Sequence, residues 1–139
     1  MRMASGVGTG KPEPVLSAED ILRLQNTVRR MPVSDHVVGY AQRLVAVTRP
    51  KTPECLDFCK KWLTWGAGPR ASLNLILAAK ARAILNGQFH VSVDDVAAVA
   101  LPIFRHRIIP NFAAQSEGVS ADDITRKILA TIGKNEKYA

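Results

Sequence analysis

Apolar residues recur at helical spacing along most of the chain. Ile21, Leu24, Val28 and Met31 step by three and four, as do Val37, Tyr40, Ala41, Leu44 and Val45, which predicts two amphipathic helices joined at Met31 to Val33. Arg49-Pro50 ends the second. A short helix is expected from about Pro53 to Trp62, with Cys55, Phe58, Cys59 and Trp62 on its inner side, and Gly66-Ala67-Gly68-Pro69 breaks it from the next element. From Arg70 to about Leu85 the pattern is apolar nearly all round, the signature of a central helix contacted from several sides, and Asn86-Gly87 stops it. Phe89-His90-Val91 reads as a short extended piece able to pair with Ile108-Ile109. Val93 to Phe104 is helical, with Pro102 expected to kink or split it. The last helix, Ala121 to Ile132, is expected to bury Ile124, Ile128, Leu129 and Ile132 and to end at Gly133. The predicted fold is an all-α bundle of five or six helices with at most a very short two-stranded β piece.

Helix starts are marked with unusual clarity. Ser17-Ala18-Glu19-Asp20, Ser92-Val93-Asp94-Asp95 and Ser120-Ala121-Asp122-Asp123 share one chemistry. The serine hydroxyl accepts from a first-turn amide, a carboxylate reaches back, and the paired acids face the positive end of the helix dipole. Ser34-Asp35 offers a fourth such start. The intervals between the three, 75 and 28 residues, exclude a regular repeat.

Length and composition limit the plan to one domain. At 139 residues and 47% hydrophobic, the chain can bury a single core without disulfides or metals. Residues 1–14, rich in Gly, Ser, Thr and Pro, read as a flexible leader, 15–133 as the helical domain, and 134–139 as a flexible tail. No apolar stretch approaches the ~18 to 20 residues of a membrane span, and the leader lacks the hydrophobic block of a secretory signal, so a cytoplasmic, membrane-free protein is expected. Cys55 and Cys59 are the only two cysteines, too few for a disulfide framework or a four-ligand metal site, and are expected to be reduced and packed.

The net charge of +7 raises nucleic-acid binding as a possibility. Residues 1–14 carry Arg2, Lys11 and Glu13, and residues 134–139 carry Lys134, Glu136 and Lys137, +1 each, which leaves +5 on the remainder. Basic residues there cluster toward predicted helix C-termini and acids toward N-termini, so dipole complementarity accounts for much of the pattern though not for the surplus.

The Gly66-Ala67-Gly68-Pro69-Arg70 junction is the most informative candidate site. The glycines permit close backbone approach and unusual dihedrals, Pro69 suits the first helical position, and Arg70 brings a guanidinium to the start of the most apolar helix. A cation at the positive end of a dipole costs about 0.3–1 kcal/mol, so an arginine there asks for an anion; the alternative is an ordinary helix start with a solvated Arg70. The string Gly6-Val7-Gly8-Thr9-Gly10-Lys11-Pro12 fails as a phosphate-binding loop, with Ser5 where the first Gly belongs and Pro12 where a hydroxyl belongs. Arg105 and Arg107 are expected to close a helix C-terminus, with contact to a missing partner domain as the alternative. His36, His90 and His106 lie far apart in sequence. Trp62 and Trp65 read as core or interface anchors.

The run Lys61-Trp62-Leu63-Thr64-Trp65-Gly66-Ala67-Gly68-Pro69-Arg70-Ala71, followed by Ala79-Lys80-Ala81-Arg82-Ala83 and Val91-Ser92-Val93-Asp94-Asp95-Val96, resembles the C-terminal lid of the MoxR family of AAA+ ATPases. Val33-Ser34-Asp35-His36-Val37, Thr48-Arg49-Pro50 and Arg105-His106-Arg107-Ile108 extend the resemblance over about Val15 to Ile132. It implies a helical lid over residues 15–133 packed on a nucleotide-binding core. Arg70 would be the sensor 2 residue, reaching the β- or γ-phosphate of ATP, with Gly66, Gly68 and Pro69 shaping the site and Trp65 near the adenine side. Gly68 stands where many relatives carry Ser, which removes a cap. ATP and Mg2+ would be held through the missing core and not by this chain alone. The resemblance also implies neighbouring subunits in a hexameric ring, chaperone-like remodelling, and a von Willebrand factor A domain protein as partner. A basic nucleic-acid-binding module and a nucleotide-independent adaptor bundle are the alternatives. By itself the chain is expected to hydrolyse nothing.

Overall fold

The computed structural model describes residues 13–133; the expected leader up to residue 12, with its glycine-rich string, and the tail 134–139 lie outside them. Seven helices and one β ribbon follow in the order α1 (Ala18–Arg30), α2 (Asp35–Ala46), α3 (Asp57–Trp62), β1 (Leu63–Trp65), α4 (Pro69–Leu85), α5 (Val93–Phe104), β2 (Ile109–Pro110), α6 (Phe112–Ser116) and α7 (Ala121–Thr131). The all-α class holds. The three serine motifs form complete capping boxes on α1, α5 and α7, and Ser34 caps α2 through the Val37 amide.

The core lies where α4 packs on α5 and α2, and α5 on α7. Tyr40, Leu44, Leu75, Phe104, Ile124 and Ile128 are fully enclosed there. On α4 the enclosed row is Ala71, Leu75, Ala79 and Ala83, every fourth residue, and three alanines let neighbouring backbones come close. The expectation of contact nearly all round is corrected: Leu73 is 70% exposed, Leu77 47% and Leu85 86%. Helix α1 departs further. Its apolar stripe is real, yet none of its residues is buried, because it rests on the flank of α4 with Ile21 and Leu24 about half in solvent.

Three local expectations are also corrected. The strand that pairs with Ile109 is β1, in antiparallel register Trp65↔Ile109 and Leu63↔Pro110, and not Phe89–Val91. Asn111 fixes this arrangement, its amide donating to the Trp62 carbonyl (2.8 Å) and its side-chain nitrogen to the Lys61 carbonyl (2.8 Å). Its Oδ1 also accepts from Ala114 N, which starts α6, a helix of one turn that the periodicity did not reveal. Finally, α3 begins at Asp57, since turns after Arg49 and Thr52 occupy the preceding residues, and α5 continues unsplit through Pro102, an exposed residue in its last turn.

Candidate functional site

The segment from β1 to α4 is clipped to the end of α2 by side chains 18 and 19 residues away in sequence. Thr48, fully buried, accepts the Ala67 amide on Oγ1 at 2.8 Å and donates the same hydroxyl to the Val45 carbonyl at 2.7 Å. Arg49 Nε donates to the Ala67 carbonyl at 3.2 Å. Ala67 thus has both backbone groups satisfied by consecutive residues of the α2 terminus. Gly66 sits against the same backbone: a Cβ there would lie 2.1 Å from the Thr48 carbonyl oxygen and 2.5 Å from its carbon. Close approach, as expected, is what Gly66 supplies. The expected unusual dihedrals are not used, because the positive-φ glycines among the described residues are Gly87 and Gly118.

With Gly66 and Ala67 fixed, the start of α4 is fixed too. Gly68 is its N-cap, with φ −89° and ψ 179°, an extended conformation open to any residue, and it gives no side-chain hydrogen bond. Pro69 takes the first turn, and the Ala71 amide folds back on the Gly68 carbonyl at 2.9 Å. Helices α1, α2, α5 and α7 carry acids in their first turn; α4 carries none. In their place stands Arg70, exposed and, among the described residues, without a hydrogen bond or ion pair. A positive dipole end, first-turn amides and a guanidinium free to turn toward solvent make an arrangement suited to phosphate oxygens supplied from outside the domain.

Trp65 flanks this loop, 63% exposed, with the Lys51 ammonium 5.9 Å from its ring centroid. Arg49, Lys51, Trp65, Gly66 and Gly68 line a shallow cleft of about 260 Å³. Gly66, Gly68, Pro69, Arg70 and Trp65 therefore form one contiguous segment. Thr48 and Lys51, which no spacing rule links to the loop, join it only through the fold.

The remaining candidates serve packing. Arg105 forms a two-pronged bond to Asp122 (Nε to Oδ1 3.0 Å, Nη2 to Oδ2 2.7 Å), tying α5 to α7, and this holds the Asp122 carboxyl below its ordinary range. Arg107 closes α5 by donating to the Ile103 carbonyl at 3.1 Å, and also touches His106. Trp62 Nε1 donates to Glu117 at 3.0 Å, while the Lys127 ammonium stands 4.7 Å from the Trp62 ring and 4.8 Å from Phe58, a junction of α3, α6 and α7. Cys55 and Cys59 are free thiols in the core; burial first, then the neighbouring Cys55, pushes Cys59 up to about 12, which makes it a poor nucleophile. Among the described residues no group of three or more His, Cys, Asp or Glu is placed to hold a metal ion, and no helix is long and apolar enough to cross a membrane.

Residues 58–128 match the family model of the AAA lid domain. Over 127 residues the chain is 32% identical to Chaperone MoxR1 of Mycobacterium tuberculosis (strain ATCC 25618 / H37Rv), covering 91% of this chain and 34% of that protein. It is 31% identical over 120 residues to the uncharacterized protein YeaC of Bacillus subtilis (strain 168), covering 86% and 35% respectively. A crystal structure from Cytophaga hutchinsonii ATCC 33406, provisionally assigned as an ATPase, superposes with a TM-score of 0.83 at 31% identity, over 96% of this chain and 41% of that one. The chain thus spans about a third of the length of the curated relatives it matches.

Proposed function

Because the chain belongs to the AAA lid domain family, as the lid of a MoxR-type AAA+ ATPase, we propose that Arg70 is its sensor 2 residue, presented to the β- or γ-phosphate of ATP bound mainly by a nucleotide-binding core. The observation that carries this reading is the exposed, partnerless guanidinium at the single long helix start with neither an acid nor a side-chain cap. Bound ATP with Mg2+ supplies the phosphoryl chemistry. The residues present fit the phosphate end of such a ligand: a planar cationic fork, a dipole terminus, and no carboxylate in the first turn to repel it.

The work of the chain is positioning. Thr48 and Arg49 hold Ala67, Ala67 and Gly66 set where α4 begins, and α4 carries Arg70 as a rigid extension of the lid core. A guanidinium placed against charge that develops during phosphoryl transfer lowers the barrier without covalent participation. Since Arg70 moves with the lid, its engagement couples lid orientation to nucleotide state. In the intact assembly, a hexameric ring with neighbouring subunits, that coupling drives chaperone-like remodelling, with a von Willebrand factor A domain protein as an accessory partner.

The test joins this domain to a nucleotide-binding core of the same genome and compares ATP turnover with and without Arg70→Ala. Turnover reduced at least about tenfold, with an unchanged circular dichroism spectrum, is the expected outcome. Undiminished turnover sinks the sensor assignment. Arg70→Lys, which keeps charge but loses the planar fork, should recover only part of the rate.

A further inference from the structure

The flank of the domain opposite its α7 side carries a groove that the sensor reading leaves unused. Helices α1, α4 and α5 enclose about 620 Å³ of open space, lined by Val28, Arg29, Leu77, Ile103, His106 and Arg107 among others. Its floor is apolar, with Val28 and Arg107 half-buried and Leu77 47% exposed. Its titratable lining is entirely cationic or imidazole, with no carboxylate.

Two features say what covers it. The first is charge. Among the described residues neither Arg29, His106 nor Arg107 has a carboxylate within ion-pair distance, although Arg105, one position away, is fully engaged by Asp122, and Arg82, Arg23 and Arg126 all have acidic partners. The domain pairs its cations elsewhere and leaves those of the groove unpaired. The second is continuity with the nucleotide face. Arg70, Leu73, Leu77 and Ala81 step by three and four along one stripe of α4, so a body that brings phosphates to Arg70 is carried along the exposed leucines toward the groove. Helix α1 borders the same groove and has a strong apolar stripe but no buried residue, so its own domain gives it little of the burial that stabilises most amphipathic helices.

We infer that the α1–α4–α5 groove seats an apolar segment bearing carboxylates from the nucleotide-binding core, the apolar side chains filling the floor against Leu77 and Ile103 and the carboxylates meeting Arg29 and Arg107. The inference rests on the lid reading for the identity of the partner, but not on the role of Arg70. The seat fixes the lid on its core independently of nucleotide, while Arg70 senses the nucleotide.

The experiment measures association of the 139-residue chain with a separately expressed nucleotide-binding core of the same genome, by fluorescence anisotropy, with and without a non-hydrolysable ATP analogue. Arg29→Glu and Leu77→Gln, both at exposed positions, should each weaken docking at least about tenfold in the absence of nucleotide. The affinity of the unaltered chain should fall as salt rises, and that of Arg29→Glu should fall less. Arg70→Ala should leave nucleotide-free docking unchanged. Docking unaffected by both groove variants overturns the inference, as does failure of the unaltered pair to associate at roughly 100 µM. Self-association of the chain that the groove variants abolish, without core, would assign the face to a second copy and overturn it too. Lost turnover in Arg70→Ala with intact docking in the groove variants would leave the sensor reading standing alone, and the converse pattern would leave the groove alone, so the two failures are distinguishable.

Discussion

Replacing Thr48 by Val tests whether the nucleotide-facing loop is held by the hydroxyl at the end of α2. Valine has nearly the shape of threonine, so the buried volume changes little and the hydroxyl is what is lost. Two bonds go with it, but their consequences differ. The Val45 carbonyl still accepts the Thr48 backbone amide at 3.2 Å, so it keeps a partner. The Ala67 amide, in a residue 1% exposed, has the hydroxyl as its acceptor and is left without one. A buried donor stripped of its acceptor costs about 1–3 kcal/mol. With a urea slope of about 2 kcal/mol/M for a domain of this size, the unfolding midpoint should fall by roughly 0.5–1.5 M. Amide hydrogen exchange gives the sharper readout, since Ala67 should lose protection while amides in the middle of α5 and α7 lose only the global share. Thr48→Ser is the control: it keeps the hydroxyl, gives up a methyl worth about 0.8 kcal/mol, and should retain Ala67 protection. If Thr48→Val leaves the midpoint within about 0.2 M of the parent and Ala67 equally protected, the clip is not what holds the loop.

Other outcomes follow from the same geometry. Gly66→Ala places a methyl 2.1 Å from the Thr48 carbonyl oxygen, against backbone that cannot turn aside, and should destabilise by about 2 kcal/mol or more and displace Arg70, visible as a large chemical-shift change confined to the 48–51 and 65–72 segments. Gly68→Ser meets open space at a φ of −89°, restores a side-chain cap and stiffens the unfolded chain, so it should raise stability by about 0.5–1 kcal/mol, seen as a rise in Tm. Arg70→Ala should leave the isolated domain as stable as before or slightly more so, by about 0.3–1 kcal/mol, because it removes a cation from the positive end of α4. Asp122, Glu117, Asp20 and Asp123 all titrate below their ordinary values, held down chiefly by side-chain hydrogen bonds from Arg105, Lys61 and the capping serines Ser17 and Ser120. Their depressed values mean stability that is present above about pH 4 and lost as pH falls through the folded-state values, so an acid titration should show unfolding below that point, with Asp122→Asn flattening part of the slope.

Helix starts were legible because they are local. Ser17, Ser34, Ser92 and Ser120 each bond to an amide three residues on, so the tetrapeptide contains its own partner and needs no fold to complete it. The Gly-Ala-Gly-Pro-Arg turn is local as well, and its order alone placed Arg70 in the first turn of α4. The resemblance carried by those motifs then pointed to the family before any geometry was known.

What the tertiary structure decided is whatever requires a partner distant in sequence. Apolar spacing set the inner stripe of α1 but not how deeply it is covered, because burial depends on how many neighbours arrive, and α1 has few. The leucines of α4 were equal to its alanines by hydropathy; only packing of α5 and α2 on the alanine row left Leu73 and Leu77 outside. The partner of Ile109 had to be chosen among extended pieces of similar composition, and Asn111, with its two bonds to the end of α3, chose β1. Thr48 is the plainest case. Nothing in residues 45–52 marks its hydroxyl as the acceptor for an amide 19 positions later, and nothing near Gly66 says which backbone it must approach. The sequence by itself determined the helices, their ends and the arginine at the start of α4, since short-range hydrogen bonds and dihedral preferences are written into neighbouring residues. Where that arginine is held, and which apolar face is left for another body, came only from the long-range contacts of the folded chain.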